Sequence, residues 1–295
     1  MATSRHRILK PAVFVPNPHP ASASRQGRSE ALPEVGPMEV QVAALEQERR
    51  ELHQQLLEAG HIQRRLSGPR LLRRGSFDIA SEVFPVRHLA GDFVTTMDFG
   101  DKVWIAVGDI AGKGIAAAMW FTYLVSMIRC HLSSHTEAAE VMSAVNQDMC
   151  ALRPSPPIST MILLRLDASC GRIEYCNAGH PPALLLGSNR ELRRLDAGGP
   201  ILGVVNGASF KSAEVTIAPG EVLLACSDGV LEHANRSEEE FGEARLAQAA
   251  RDHAGEPAES VLFSLLAALQ DFSEGARPQD DVSLLVVRAA ESKRR

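Results

Sequence analysis

The sequence predicts an α+β fold, a layered domain of antiparallel sheets and helices. Strand-like segments come in hairpin-spaced pairs, and helical segments follow one another directly. The regular strand–helix–strand alternation of a doubly wound parallel sheet is missing.

The elements follow in chain order. Residues 1–37 are rich in Pro, Ser, Ala and Arg, with no acid before Glu30. Such a stretch buries too little surface to offset its ordering entropy, so a disordered tail is expected. Pro11, Pro16, Pro18 and Pro20 argue against the amphipathic helix of a transit peptide, and no apolar core marks a signal peptide. Over residues 38–66 helix formers take over. A heptad frame puts Met38, Val42, Leu45, Leu52, Leu56, Ala59 and Leu66 in the seam, interrupted by Arg49 and Gln63. This amphipathic helix either pairs two chains as a coiled coil, giving a homodimer, or packs on its own domain.

Ser67-Gly68-Pro69 ends the helix and opens a domain expected over residues 67–290, with a short disordered tail at 291–295. Strands are expected at 77–84 and 102–108, the second reading KVWIAVG, a buried run. Long apolar helical periodicity marks 115–132 and 137–152. Strands at 160–166 and 172–177 flank Asp167-Ala168-Ser169-Cys170-Gly171, a hairpin turn in which glycine supplies positive φ. Pro219-Gly220 turns into a strand at 221–226, helices follow at 241–250 and 257–272, and a last buried strand spans 282–288.

Composition narrows the function. The 295 residues are 45% hydrophobic and 23% charged, enough to build a core and too apolar for disorder throughout. Thirty-six acids against 31 Lys and Arg leave a net charge of −5, which gives no pull toward nucleic acid or anionic lipid. No apolar run approaches the ~20 residues of a membrane span. The five cysteines show neither CxxC nor zinc-finger spacing, so reduced, mostly buried thiols and a cytoplasmic location are expected.

Chemistry gathers where strands stop. Asp92 stands in Ala90-Gly91-Asp92-Phe93, and Asp109 ends a strand before Gly112-Lys113-Gly114 opens a helix. Asp228 precedes Gly229, and Asp280-Asp281 open the last strand. Singly, an Asp at a strand end is usually a turn former. Jointly, such acids would make a hard, all-oxygen pocket suited to Mg²⁺ or Mn²⁺, and no His or Cys cluster suggests a softer metal.

The stretches GDF (91–93), GDIAGKG (108–114), NAGHPP (177–182), GPILGV (199–204), CSDGVLE (226–232), FGEARL (241–246) and DDVSLLVV (280–287) occur in that order. In them the chain resembles the PPM (PP2C-type) metal-dependent serine/threonine phosphatases, in the bacterial branch of SpoIIE- and RsbU-like regulators. The resemblance covers residues 71–288. It implies an α-β-β-α sandwich of two antiparallel sheets flanked by helices, preceded here by the N-terminal helix, with two metal ions at one end. It implies Asp92, Asp109, Asp228 and Asp280 as catalytic metal ligands, with the backbone carbonyl of Ile110 as a further ligand; Asp281 is the alternative to Asp280. Two departures are Ala90, where the family usually has glycine, and Ile110, and neither removes a ligand. The implied reaction is attack of a metal-activated water on phosphoserine or phosphothreonine of a regulatory protein, such as an anti-sigma-factor antagonist.

The residues speak against other readings. A thiol phosphatase needs Arg six positions after its Cys, where this chain has Thr136, Pro156, Cys176, Pro182 and Glu232. A P-loop needs four residues between Gly108 and Gly-Lys, and three intervene. His180 is expected to fix a turn rather than to act as acid or ligand, and Arg87 either touches phosphate or stays an exposed loop residue. A phosphodiesterase lacks an aromatic or basic base-binding stretch. The alternative from another class is a non-catalytic signalling module of the same fold. The 38–66 helix is expected to relay input to the helix beginning near Gly112.

Overall fold

The computed structural model describes residues 37–152, 157–187, 189 and 191–290. The expected tail over 1–37 lies, but for Pro37, outside the described residues, as does that over 291–295. Two units are present, one ending at Glu48 and one running from Arg49.

Helix α1 (Pro37–Leu66) begins in the first unit and ends in the second. Then come β1 (Leu71–Arg74), β2 (Phe77–Phe84), β3 (Phe93–Phe99), β4 (Lys102–Ile110), α2 (Ile115–His131) and α3 (Ala138–Ala151). They lead to β5 (Ser159–Asp167), β6 (Arg172–Ala178), β7 (Ala183–Leu186), β8 (Leu192–Leu195), β9 (Gly198–Gly199) and β10 (Ala213–Thr216). The chain finishes with β11 (Val222–Cys226), α4 (Asp228–Leu231), α5 (Gly242–Asp252), α6 (Ala258–Ser273) and β12 (Val282–Ala289).

The strands form two sheets, ordered β1-β2-β12-β11-β7-β8 and β10-β6-β5-β4-β3. Their pairings are antiparallel except where β9 joins β6 in parallel. Alternation builds the layers, because successive side chains of a strand face opposite ways. In β4, Val103, Ile105 and Val107 meet Leu164, Leu223, Leu285 and Val287 between the sheets, while Trp104 and Ala106 turn outward onto Phe121, Leu124 and Ile128 of α2. In β12, Leu285 and Val287 face the inter-sheet core, whereas Leu284 and Val286 pack on Leu262 and Leu265 of α6. The order of layers is thus α2/α3, sheet, sheet, α5/α6: the expected α-β-β-α sandwich.

Where elements differ from expectation the cause is local. Strand β3 was not anticipated because its first five residues are all buried, which erases alternation. Strand β7 is four buried residues, and β8 reads LRRL, a polar edge without a strand signature. Strand β4 runs on through Asp109 to Ile110 rather than ending at Gly108. The hairpin turn holds, with Gly171 at φ +72. The cysteines depart from the mostly buried picture: Cys176 and Cys226 are buried, but Cys130 and Cys170 are exposed and Cys150 is intermediate. Cys130 lies on the solvent side of α2 and Cys170 in the hairpin turn, where no core reaches them. Among the described residues no helix is long and apolar enough to cross a membrane.

Leu285 is fully buried between the sheets. Leu285→Ala should lower unfolding free energy by about 2–5 kcal/mol, measured by urea denaturation, because a cavity there has rigid sheet on both sides.

Candidate metal centre

Strand register brings the acids to one end of the sandwich. In the β3/β4 pair Phe93 lies opposite Gly108, so Asp92 and Asp109, each one residue further along, are neighbours. In the other sheet Cys226 pairs with Leu284, and Phe84 with Val282. Asp228 therefore stands two residues beyond the end of β11, and Asp280 two residues before the start of β12.

Hydrogen bonds tie these ends together across the sheets. The Asp281 carboxylate accepts from the N–H groups of Val86 and Gly91, each at 2.8 Å. Lys113, just past β4, donates to both carboxylate oxygens of Asp280 at 2.9 Å. The Ile110 N–H donates to the Gly91 carbonyl at 3.3 Å, and the Ser159 hydroxyl to the Asp109 carbonyl at 2.7 Å. Gly91 is required by close approach. A Cβ there would lie 2.9 Å from the Ile110 carbonyl oxygen and 3.0 Å from Asp109 Oδ1, so any side chain would wedge the two loops apart. The buried methyl of Ala90 is accommodated beside it.

The electrostatics are those of charges short of a partner. Asp92 is 4% exposed, and its Oδ2 has no hydrogen-bond partner. Burial, more than the neighbouring charges of Asp109, Asp281 and Asp228, pushes its pKa from 3.8 up to about 8, against a smaller opposing pull from the Ser227 hydroxyl. Asp109 is pushed up to about 6, again chiefly by burial, then by Asp228, Asp280 and Asp281. Asp228 and Asp280 are exposed; one Asp228 oxygen takes the Gly229 N–H at 2.8 Å.

A hard divalent cation fits this donor set. It would neutralise the repulsion, satisfy the orphaned Asp92 oxygen, and find only oxygen ligands around it. Among the described residues, however, no three acids, histidines or cysteines stand together as a ready-made cage. The physical reason is in the pairings: Asp280 is held by Lys113 and Asp228 by its neighbouring N–H, so both must exchange these contacts to reach an ion.

Sequence alone left Asp280 and Asp281 as alternatives. Asp281 is buried with both oxygens engaged by backbone N–H groups of the 86–91 loop, whereas Asp280 is exposed and accepts from Lys113 and from the Asp281 N–H. Asp281 thus serves as the brace of the 86–91 loop, and Asp280 is the exposed member of the pair, held by Lys113. His180 is the turn staple expected of it. Its N–H donates to Asn177 Oδ1 at 2.8 Å, the Asn177 amide donates back to its carbonyl at 2.9 Å, and Nδ1 shares a 2.9 Å hydrogen bond with Thr160 Oγ1. Burial lowers its pKa to about 4, so the ring is neutral and no general acid near pH 7. Arg87 is exposed, close enough to Lys113 for their charges to oppose. Lys113 itself was read only as part of a glycine-rich loop. Its place four residues after Asp109 was the available signal.

Comparison with known proteins identifies the family and the fold. The family Stage II sporulation protein E (SpoIIE) matches residues 100–290. The chain belongs to the SpoIIE family. Protein IcfG of Synechocystis sp. is 26% identical over 231 residues, 69% of this chain and 36% of that protein. The phosphoserine phosphatase RsbU of Bacillus subtilis is 25% identical over 249 residues, 81% of this chain and 71% of RsbU. Among solved structures, the SiaA-PP2C domain of Pseudomonas aeruginosa superimposes with a TM-score of 0.70 at 21% identity, covering 81% of this chain and 98% of that one. That likeness fixes the PP2C fold. The chain spans little more than a third of the length of IcfG.

The raised carboxyls make stability depend on pH in a definite direction. Between about pH 4 and pH 8 the folded metal-free protein keeps protons on Asp109 and Asp92 that the unfolded chain releases near 3.8, so stability falls as pH rises through that window. Thermal melts should show the decline, and Mn²⁺ at pH 8 should reverse it. Asp92→Asn should raise the metal-free midpoint at pH 8 by roughly 5 °C while removing most of the Mn²⁺ effect. A pH-independent midpoint would contradict the burial of unpaired charge.

Proposed function

We propose that this chain is a metal-dependent serine/threonine phosphoprotein phosphatase acting on phosphoserine or phosphothreonine of a regulatory protein. One observation carries the reading: two adjacent, desolvated carboxylates, one with an orphaned oxygen, at the shared end of two sheets. Asp92, Asp109, Asp228, Asp280 and the Ile110 carbonyl would hold Mn²⁺ or Mg²⁺, two ions in all. Such ions supply Lewis acidity that readies water at neutral pH and neutralises phosphoryl charge. The residues around them orient and shield. Asp92 lies at the buried side, and Asp281 and Ser159 fix the two ligand loops. Lys113, once parted from Asp280, presents an ammonium to the phosphoryl oxygens at the exposed side. In the net reaction water adds to phosphorus, the bond to the serine oxygen breaks, and that oxygen leaves with a proton as the free hydroxyl.

A relative supports the substrate class. RsbU is named a phosphoserine phosphatase. We assign this chain a phosphorylated anti-sigma-factor antagonist or a protein like it, within a partner-switching pathway in the cytoplasm. The 38–66 helix would pair two copies, because Met38, Val42, Leu45 and Leu52 of its seam are all exposed. Neither nucleic acid nor membrane is a partner in this reading. The domain is taken as 67–290, with tails at 1–37 and 291–295. A non-catalytic signalling module is the alternative, favoured by the Lys113–Asp280 pair that closes one ligand off.

Phosphate release from a phosphoserine protein should require Mn²⁺ or Mg²⁺ and stop with chelator. Asp109→Asn and Asp228→Asn should each lower it at least about a hundredfold with the fold intact, while Mn²⁺ binding without any turnover would favour the non-catalytic reading. In light scattering the intact chain should run at twice 31.9 kDa, and Leu45→Glu with Leu52→Glu at the single mass.

A further inference from the structure

We propose that Gln63, one of the polar interruptions in the α1 seam, is a positioning residue for the Asp92 metal loop, acting through the Ala90–Gly91 peptide. The inference rests on the metal assignment above. Gln63 Nε2 donates to the Ala90 carbonyl at 2.8 Å, and Gln63 Oε1 accepts from the Ala90 N–H at 3.3 Å. One side-chain amide thereby satisfies both backbone groups of a residue that is 3% exposed, where water could not replace it.

The geometry explains why this matters for a ligand two residues on. The peptide joining Ala90 to Gly91 is held on both sides. Its carbonyl takes the Gln63 amide, and its N–H goes to the Asp281 carboxylate at 2.8 Å. With both ends fixed, the peptide plane has no freedom to rotate. Gly91 then bears on the second ligand loop, where its carbonyl accepts from Ile110 and its α-carbon faces Asp109 Oδ1. A tilt of this one peptide would displace Asp92 and the Ile110 carbonyl together. Gln63 and Asp92 also line the same small cavity, with Gly60, His88 and Phe121 around them.

Gln63 is separable from the docking of α1 as such. The same helix reaches the same loop at two other points. Gly60 lies against the His88 carbonyl, where a Cβ would stand at 2.9 Å, and His53 Nδ1 shares a 2.8 Å hydrogen bond with His88 Nε2. A leucine at 63 would continue the apolar seam and keep the helix seated, yet leave the Ala90 N–H and carbonyl unpaired. Partners that orient metal ligands through such contacts typically govern affinity by about 10–100-fold.

The test is Mn²⁺ titration of the full chain by calorimetry, beside circular dichroism and phosphate release. Gln63→Leu should weaken Mn²⁺ binding about tenfold or more at unchanged helix content, with turnover restored by saturating Mn²⁺. Gln63→Glu, which accepts from the Ala90 N–H but has no proton for its carbonyl, should fall between. His53→Ala, which loosens the same helix without touching Ala90, should bind Mn²⁺ as wild type does. Wild-type affinity in Gln63→Leu, or an equal loss in His53→Ala, would overturn the role given to Gln63. Failure of the unaltered protein to bind Mn²⁺ would instead overturn the metal assignment beneath it.

Discussion

Like charges forced together out of water are the constraint around which this protein is arranged. Asp92 and Asp109 are neighbours because β3 and β4 are, and the sandwich buries that strand end. Burying a carboxylate without a countercharge is costly, so the ionised pair is stable only with a cation or with protons. The elevated pKa values of both groups are the same fact in other terms. In the proposed reading, local stability is given up to hold a site ready for a hard divalent ion, which is how functional centres commonly depart from the rules obeyed elsewhere in a fold.

The surroundings compensate with rigidity. Asp281 braces the 86–91 loop through two backbone N–H groups, Ser159 holds the Asp109 carbonyl, and His180 staples the turn beside Thr160, which lies opposite Asp109 in the β4/β5 register. Lys113 has a different character. It sits at the surface and pairs with Asp280 across the gap between the sheets, and in the proposed function it is the member that exchanges partners when an ion or a phosphoryl group arrives.

Much of this was legible in the sequence because the burial pattern is regular. KVWIAVGDI and DDVSLLVV alternate between two cores, so β4 and β12 could be placed to within two residues of their ends. Asp92, Asp109, Asp228 and Asp280 stood out as acids against glycine or a second acid at strand ends. What sequence could not yield were long-range pairings. Nothing local distinguishes Asp281, a brace with both oxygens committed, from Asp280 beside it. Gln63 read only as a flaw in a heptad, because its partner lies 27 residues away. The relay from α1 was expected at the helix beginning near Gly112; the last turns of α1 meet that helix, α2, where Arg129 donates to the Leu66 carbonyl, and they also meet Ala90 through Gln63, a contact with no local sequence signal. Strands β3, β7 and β8 were missed for the opposite reason: full burial or an edge position removes the period that identifies a strand.

The most direct measurement is anomalous diffraction at the manganese edge from crystals grown with Mn²⁺. The result predicted is scattering between the two sheet ends, about 2.1 Å from carboxylate oxygens of Asp92 and Asp109 and from the Ile110 carbonyl, with Asp280 turned away from Lys113. Manganese bound elsewhere, or Asp92 still facing an empty interior at saturating metal, would contradict it.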